Sequence, residues 1–338
     1  MDLQAVFCTT EWCPDKYKRG MGNLVWHSRK RPRCKCTTCG RTFAYRRDTP
    51  FAGLRRGEWE LVLVVTLVSY GCPIAAIVAA FEMDERTVRR WMQRTGAHGE
   101  SFHHHQTRRL DLRQVQVDEL RLKIQQQVVW VAMAIMVGTR LWLGAACNLH
   151  RDRRLGEQII TCVYQWARQL PLVIAFDGWA VYAKACRKLF CEPVYSGKSG
   201  RPRQVPWDCL TLAQVVKHQS KQQGIARYIL RGSCTMFVRL QRLTQGVGVI
   251  NTAYIERLFA SFRGRLALAA RRTRHPARQL ETVAAHITLV GCLYNFCRPH
   301  RALGTGVSPA MAAGLTDHLW SVADFLWWRS PPYWASTV

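Results

Sequence analysis

Three carboxylates stand out because of what surrounds them. Glu256 is the single acid in residues 256–280, a stretch with seven arginines, at 257, 263, 265, 271, 272, 274 and 278. Seven residues, close to two helical turns, separate it from Arg263, so both project from one face of the helix expected over 250–263. Asp118 sits in an alternating apolar–polar run, Val115–Ile124, and Asp177 follows the apolar run Pro171–Phe176. Carboxylates gathered in a basic protein repel one another unless divalent cations neutralise them, and oxygen donors suit Mg2+ or Mn2+. Two such ions can activate an attacking oxygen and stabilise a leaving one during in-line phosphoryl displacement. Arg257 and Arg263 are then candidates for gripping a phosphate or the developing charge. Taken singly, each acid reads as ordinary, since most Glu–Arg pairs at helical spacing are solvated surface pairs. The combination is more specific than its members.

A second set of donors is sulfur. Cys8 and Cys13 form one pair, Cys36 and Cys39 another, and Gly40-Arg41-Thr42-Phe43 follows. Two cysteine pairs at this separation suit a tetrahedral Zn2+ ribbon, each pair forming a turn whose thiolates face the metal. Cys34 and His27 are spare candidates. Residues 1–56 hold thirteen Lys/Arg against four acids, so this module is expected to touch phosphates.

The 338 residues leave room for two or three domains, and 48% hydrophobic content excludes a disordered chain. A formal charge of +27 repels itself unless it meets a polyanion, which makes nucleic acid the leading partner. No secretory signal fits Met1–Gly20, and most of the fourteen cysteines are scattered, as free thiols in a reducing compartment are. Leu61–Phe81 is uncharged for 21 residues, but Gly71-Cys72-Pro73 breaks it into pieces too short to span a bilayer.

These groups need a frame. Glu58–Tyr70, Pro73–Phe81 and a helix from Asp84, stopping at Gly96, are expected over 55–98. The last carries Arg86, Arg89, Arg90 and Arg94, with Val88, Trp91 and Met92 facing inward. A short helix, a tight turn and a basic helix resemble a DNA-binding helix-turn-helix; a basic amphipathic helix in another bundle is the alternative. Residues 98–112 read as a linker, with His103, His104 and His105 solvated. Strands follow at 115–124, 127–138 and 140–149, then a helix at 156–170 and a strand at 171–176, which together describe a mixed α/β sheet. Asp177 lies at the C-terminal tip of its strand, the edge at which open α/β sheets build sites. Residues 190–249 read as an irregular insertion with strands at 209–217 and 226–231 and a helix from Cys234; Gly197-Lys198-Ser199 lacks the strand and upstream glycine of a phosphate-cradling loop. Leu280–Phe296 is a helix, Cys297–Arg301 a basic turn, and the tail from 306 to 338 carries Trp320, Trp327, Trp328 and Trp334, expected to pack on the core.

Gln116-Val117-Asp118-Glu119, Phe176-Asp177-Gly178-Trp179-Ala180-Val181-Tyr182 and Tyr254-Ile255-Glu256-Arg257, with Arg263, resemble the acid-acid-acid signature of bacterial insertion-sequence transposases of the insertion-sequence-one type. Cys36–Phe43, the helices at 57–97 and Tyr294–Arg301 fit that family's order, so the resemblance covers nearly the whole chain. It implies a zinc ribbon at 1–50, a helix-turn-helix at 55–98 and a ribonuclease-H-like α/β catalytic domain over 110–305, with the insertion at about 190–249. It further implies that Asp118, in preference to Glu119, with Asp177 and Glu256 is the catalytic triad holding two Mg2+. The implied activity is hydrolysis of a phosphodiester and strand transfer into target DNA. Double-stranded DNA, as element ends and as target, is the implied partner of a homodimer or larger assembly at the bacterial nucleoid, in the cytoplasm and not in a membrane. Two departures stand out: a 79-residue step from Asp177 to Glu256, and Phe259 where relatives tend to place a polar residue. A non-catalytic DNA-binding regulator or degenerate transposase copy is the rival from another class, predicting DNA binding that survives removal of 113–338 and no dependence of activity on Asp177. A nuclease that cuts without joining is a third reading.

Overall fold

Residues 2–50 fold around sulfur more than around apolar side chains. β1 (Leu24–Ser28), β2 (Arg33–Cys36) and β3 (Thr42–Ala44) form a small antiparallel sheet in that order. Leu24, Cys34, Cys36, Phe43 and Tyr45 make its buried cluster together with Val6, Cys8 and Cys13. Three helices follow, α1 (Glu58–Ser69), α2 (Ile74–Phe81) and α3 (Glu85–Gln106). The uncharged run between 61 and 81 breaks as expected, because Gly71 turns the chain at φ +84° and Pro73 precedes α2. Asp84 caps α3, accepting from the amides of Arg86 (2.8 Å) and Thr87 (3.2 Å).

The alternation at 115–124 becomes β4 (Gln114–Lys123), which with β5 (Val128–Met136) and β6 (Trp142–Asn148) forms an antiparallel meander. The helix α4 (Arg153–Trp166) leads to β7 (Leu172–Phe176), buried at all five positions and parallel to β4, as its unbroken apolar run requires. Then come α5 (Ala180–Leu189), a hairpin of β8 (Cys191–Val194) and β9 (Arg203–Pro206), β10 (Leu210–Lys217) and β11 (Ile225–Arg231). The central sheet has the order β11-β10-β7-β4-β5-β6, with β10 parallel to β7 and β11 antiparallel at one edge. It is covered by α6 (Cys234–Gln245), α7 (Ala253–Arg265) and α8 (Leu280–Phe296); α9 (Pro309–Ala312) and α10 (Val322–Trp327) follow. The computed structural model describes residues 2–124, 127–195, 200–217, 224–246, 248–269 and 279–331. Arginines 271, 272, 274 and 278, the Gly-Lys-Ser at 197–199 and Trp334 lie outside them.

Three expectations change. The helix expected to stop at Gly96 runs on to Gln106, because Gly96 marks a close crossing of α3 and α8: a Cβ there would stand 2.5 Å from the Cβ of Ala285. The expected linker at 98–112 is therefore mostly helix. His103 is buried in it, its Nε2 2.8 Å from the Leu143 carbonyl and its ring 4.7 Å from that of Trp142, not solvated. Lastly, the region expected as an insertion contributes β10, an interior strand whose buried Leu210–Ala213 pair with β7. One helix, within Leu280–Leu303, is long and apolar enough to cross a membrane by length and composition; most of it is buried inside the protein.

The tail packs as expected and reaches further. Trp320 meets Phe102 and Phe296 edge-on, while Trp327 lies 5.3 Å from Tyr45 and 4.4 Å from Phe51. Arg329 donates to the carbonyls of Tyr45 and Arg47, and Arg19 stacks at 3.9 Å on Trp328. The last described residues thus fasten the cysteine module to the helices.

Candidate metal and nucleic-acid sites

Register explains why two distant acids meet. In the parallel β4–β7 pair Val117 faces Phe176, so the next residues, Asp118 and Asp177, emerge side by side. One oxygen each from Asp118, Glu119 and Asp177 lie within 4.8 Å of one another. Glu119, passed over on sequence, belongs to this cluster: its side chain is 5% exposed and accepts from Tyr182 Oη at 2.8 Å. Arg151 completes it, pairing with Glu119, standing 3.6 Å from Asp177 and lying 4.5 Å over the Trp179 ring. Tyr182 ends the sequence motif that begins at Phe176, whereas Arg151 carries no sequence signal and joins the group through a fold contact.

Glu256 stands apart from that group. Its Oε1 accepts from Thr252 Oγ1 at 2.9 Å and pairs with Lys217 of β10, and these contacts outweigh burial to keep its pKa low. Asp118 behaves in the opposite way. Burial first, then the charges of Asp177, Glu119 and Glu256, push its carboxyl up to about 7, against one opposing backbone hydrogen bond from Glu119. The donor set thus fits a divalent cation: hard oxygens, crowded, with excess negative charge at Asp118.

A buried amide ties Glu256's helix to Asp118's strand. Gln116 is 0% exposed, two residues before Asp118. Its Oε1 accepts from the amides of Tyr254 and Ile255, both at 3.0 Å, and its Nε2 donates to Asn251 at O (2.9 Å) and Oδ1 (3.1 Å). The first turn of a helix leaves amides without intrahelical partners, and Thr252 offers no side-chain cap here, so Gln116 takes that role from another strand. A glutamine in a strand otherwise apolar at 115 and 117 was the visible trace of this contact.

On α7, Ile255, Leu258, Phe259 and Phe262 form the buried stripe at i, i+3, i+4 and i+7. Phe259 is 4% exposed in the main core and is a packing residue. Arg257 is exposed and Arg263 half-buried, and neither makes an ion pair among the described residues.

Val88, Trp91 and Met92 face inward on α3 as expected. Arg86 and Arg90 are exposed. Arg89 is engaged by Glu85 (Nε to Oε1, 2.7 Å), and Arg94 donates to the carbonyls of Ala52 (2.6 Å) and Pro50 (3.1 Å). Arg94 is therefore a strut between helix and cysteine module, a role its spacing could not reveal.

The four sulfurs of Cys8, Cys13, Cys36 and Cys39 gather as the spacing predicts, without Cys34 or His27. Cys8 and Cys39 sulfurs are 3.7 Å apart, and those of Cys13 and Cys36 are 3.9 Å apart. Four thiolates about 2.3 Å from one tetrahedral zinc stand about 3.8 Å apart, so the cage has the right size. Burial raises the Cys39 thiol, but the Arg41 amide and contacts from Thr10, Cys8 and Cys36 outweigh it and bring it to about 7; burial pushes Cys13 up to about 12. Chemistry and size both fit zinc.

The chain matches no protein-family model, and no curated protein matches it.

Proposed function

We propose that this protein is a DNA transposase with a ribonuclease-H-like catalytic domain, a structural zinc ribbon and a helix-turn-helix. The observation that carries the reading is the pairing of β4 with β7, which sets Asp118 beside Asp177 while Gln116 holds Glu256's helix on the same strand. Three antiparallel strands followed by two parallel ones, with the acids mid-strand and at a strand tip, support that reading.

Asp118, Asp177 and Glu256, with Glu119 in support, would hold two Mg2+ or Mn2+. When bound, such ions supply Lewis acidity to the attacking and leaving oxygens. Within the chain, Tyr182 and Arg151 fix the orientation of Glu119, and the amide of Trp179 fixes Asp177 at 2.9 Å. Lys217, paired with Glu256, would supply a cation to a phosphate oxygen beside that carboxylate. In the proposed reaction a water oxygen forms a bond to phosphorus as the P–O3′ bond breaks, leaving a 3′-hydroxyl and a 5′-phosphate. That hydroxyl then attacks a target phosphodiester, releasing another 3′-hydroxyl. Arg86 and Arg90 on the basic helix, and the cationic cysteine module on zinc, would read and grip the element ends.

The test is incubation of the full chain with labelled duplex carrying the gene's flanking ends, with Mg2+ or Mn2+, beside Asp177→Asn. Metal-dependent nicks and joined products that vanish in the variant, by a factor on the order of 10³, are expected, because such metals contribute several kcal/mol. One observation favours the regulator reading: Lys217 and Arg151 already pair with Glu256, Glu119 and Asp177. Duplex binding with no cleavage by either protein would establish it. The full chain is needed, since Trp327 and Arg329 complete the cysteine module from the far terminus.

A further inference from the structure

Away from the acid cluster, cations converge where the β5–β6 turn, α7 and the segment after α8 meet. Arg140, in the turn, has a left-handed backbone at φ +60°, a conformation side chains rarely adopt without a compensating role. Its guanidinium lies 4.1 Å over the Tyr254 ring, and its Nη1 is buried without a hydrogen-bond partner. Tyr294 donates to the Arg140 carbonyl at 3.1 Å and meets the His300 imidazole edge-on at 6.1 Å. Arg257 follows Tyr254 by three residues on α7, on the same side of that helix. After burial, Arg140 and Arg257 are the charges that lower the pKa of His300, and together with Arg265 they act on Tyr294 as well. Among the described residues, none of Arg140, Arg257, Arg265 and His300 pairs with a carboxylate.

Like charges held together on a rigid aromatic floor are unfavourable until an anion arrives. A guanidinium stacked on a tyrosine keeps its edge free for the forked hydrogen bonds that suit phosphate oxygens. The group flanks Glu256 directly: Tyr254 precedes it by two residues and Arg257 follows it on the same helix. Resting on the nucleic-acid reading above, we infer that Arg140, Arg257 and His300 form a phosphate notch that grips the substrate backbone beside the acid cluster. It positions the duplex and reads no bases.

The test is fluorescence anisotropy of the full chain with labelled duplex, in wild type, Arg257→Gln, Arg140→Gln and a control, Arg153→Gln, whose arginine pairs with Glu157 on α4. Binding is followed between about 50 and 200 mM salt, where each lost phosphate contact lowers the slope of log K against log[salt] by about 0.9. Arg257→Gln and Arg140→Gln should each do so, weakening unrelated sequences equally, while Arg153→Gln leaves the slope unchanged. Exposed Arg257 keeps the test decisive if Arg140→Gln fails to fold. An unchanged slope in Arg257→Gln, or an equal fall in Arg153→Gln, overturns the notch and leaves the transposase reading standing. The expected slopes without metal-dependent cleavage keep the notch and sink that reading. Wild type that binds no duplex overturns both.

Discussion

Cys8, Cys13, Cys36 and Cys39 come from one small module, while Asp118, Asp177 and Glu256 come from two strands and a helix spread over most of the sheet. The sulfur cage is local. Turns of a few residues bring each pair together, so spacing alone announces it and the metal itself would supply most of the order. The carboxylates are assembled by the fold: Asp118 and Asp177 meet only because β4 pairs with β7 in one register, and Gln116 fastens to that same strand the helix that carries Glu256. A local site stands or falls with its metal, and an assembled one with the contacts behind its ligands.

The largest effect should fall on the local site. Structural zinc in such modules contributes about 10–16 kcal/mol of apparent binding energy at neutral pH, and that energy is folding energy. Cys36→Ser should therefore release the zinc and melt residues 2–50, seen as a lost low-temperature transition and a metal content near zero. A variant that keeps one zinc per chain and the wild-type melt would show that the cage is not a metal site. The sheet and α3–α8 should survive, which separates the two regions.

Acid tests the helical frame on which both regions lean. His103 on α3 and His286 on α8 are buried, and burial first, then a nearby positive group, pushes each pKa down to about 4; at His103 the Leu143 carbonyl opposes this. Both imidazoles are thus neutral in the fold. With folded pKa values below the unfolded one near 6.5, the stability they carry is complete above that pH and drains as pH falls toward 4. Each should cost about 2 kcal/mol by pH 5. Urea melts at pH 7 and pH 5 check this: in His103→Gln, the difference between the two should shrink by that amount. An equal loss in wild type and variant would remove His103 from the account.

The frame was legible in the sequence and its joints were not. Alternation at 115–124 and the apolar run at 171–176 announced β4 and β7, since strand periodicity is set by which face is buried. Gly96 misled because a glycine that ends a helix and one that admits a neighbouring helix look alike until the neighbour is known. Arg94 misled for a similar reason: a cation on a basic helix reads as a phosphate ligand, whereas two backbone carbonyls of the preceding loop hold it. At the acid site Asp118 and Asp177 were legible from their places on strands. Glu119 and Tyr182 stood in the sequence motifs without an assigned role, and Arg151 and Lys217 were not legible, since only tertiary pairing brings them there.

The smallest expected effect probes what holds the assembled site. Gln116→Ala removes the acceptor of two helix-start amides and the donor to Asn251, while both ends of the sheet keep their pairing. Partners behind metal ligands typically contribute about 10- to 100-fold in affinity or activity. On the proposed transposase reading, the variant should lose that much metal-dependent cleavage, with Mn2+ affinity weakened. Gln116→Glu sharpens the point. It keeps the acceptor for Tyr254 and Ile255 but turns a carboxylate oxygen toward the Asn251 acceptors, so it should restore only part of the loss. If Gln116→Ala lowers melting temperature and leaves Mn2+ affinity and cleavage at wild-type levels, the amide is a packing residue and Glu256 finds its place without it.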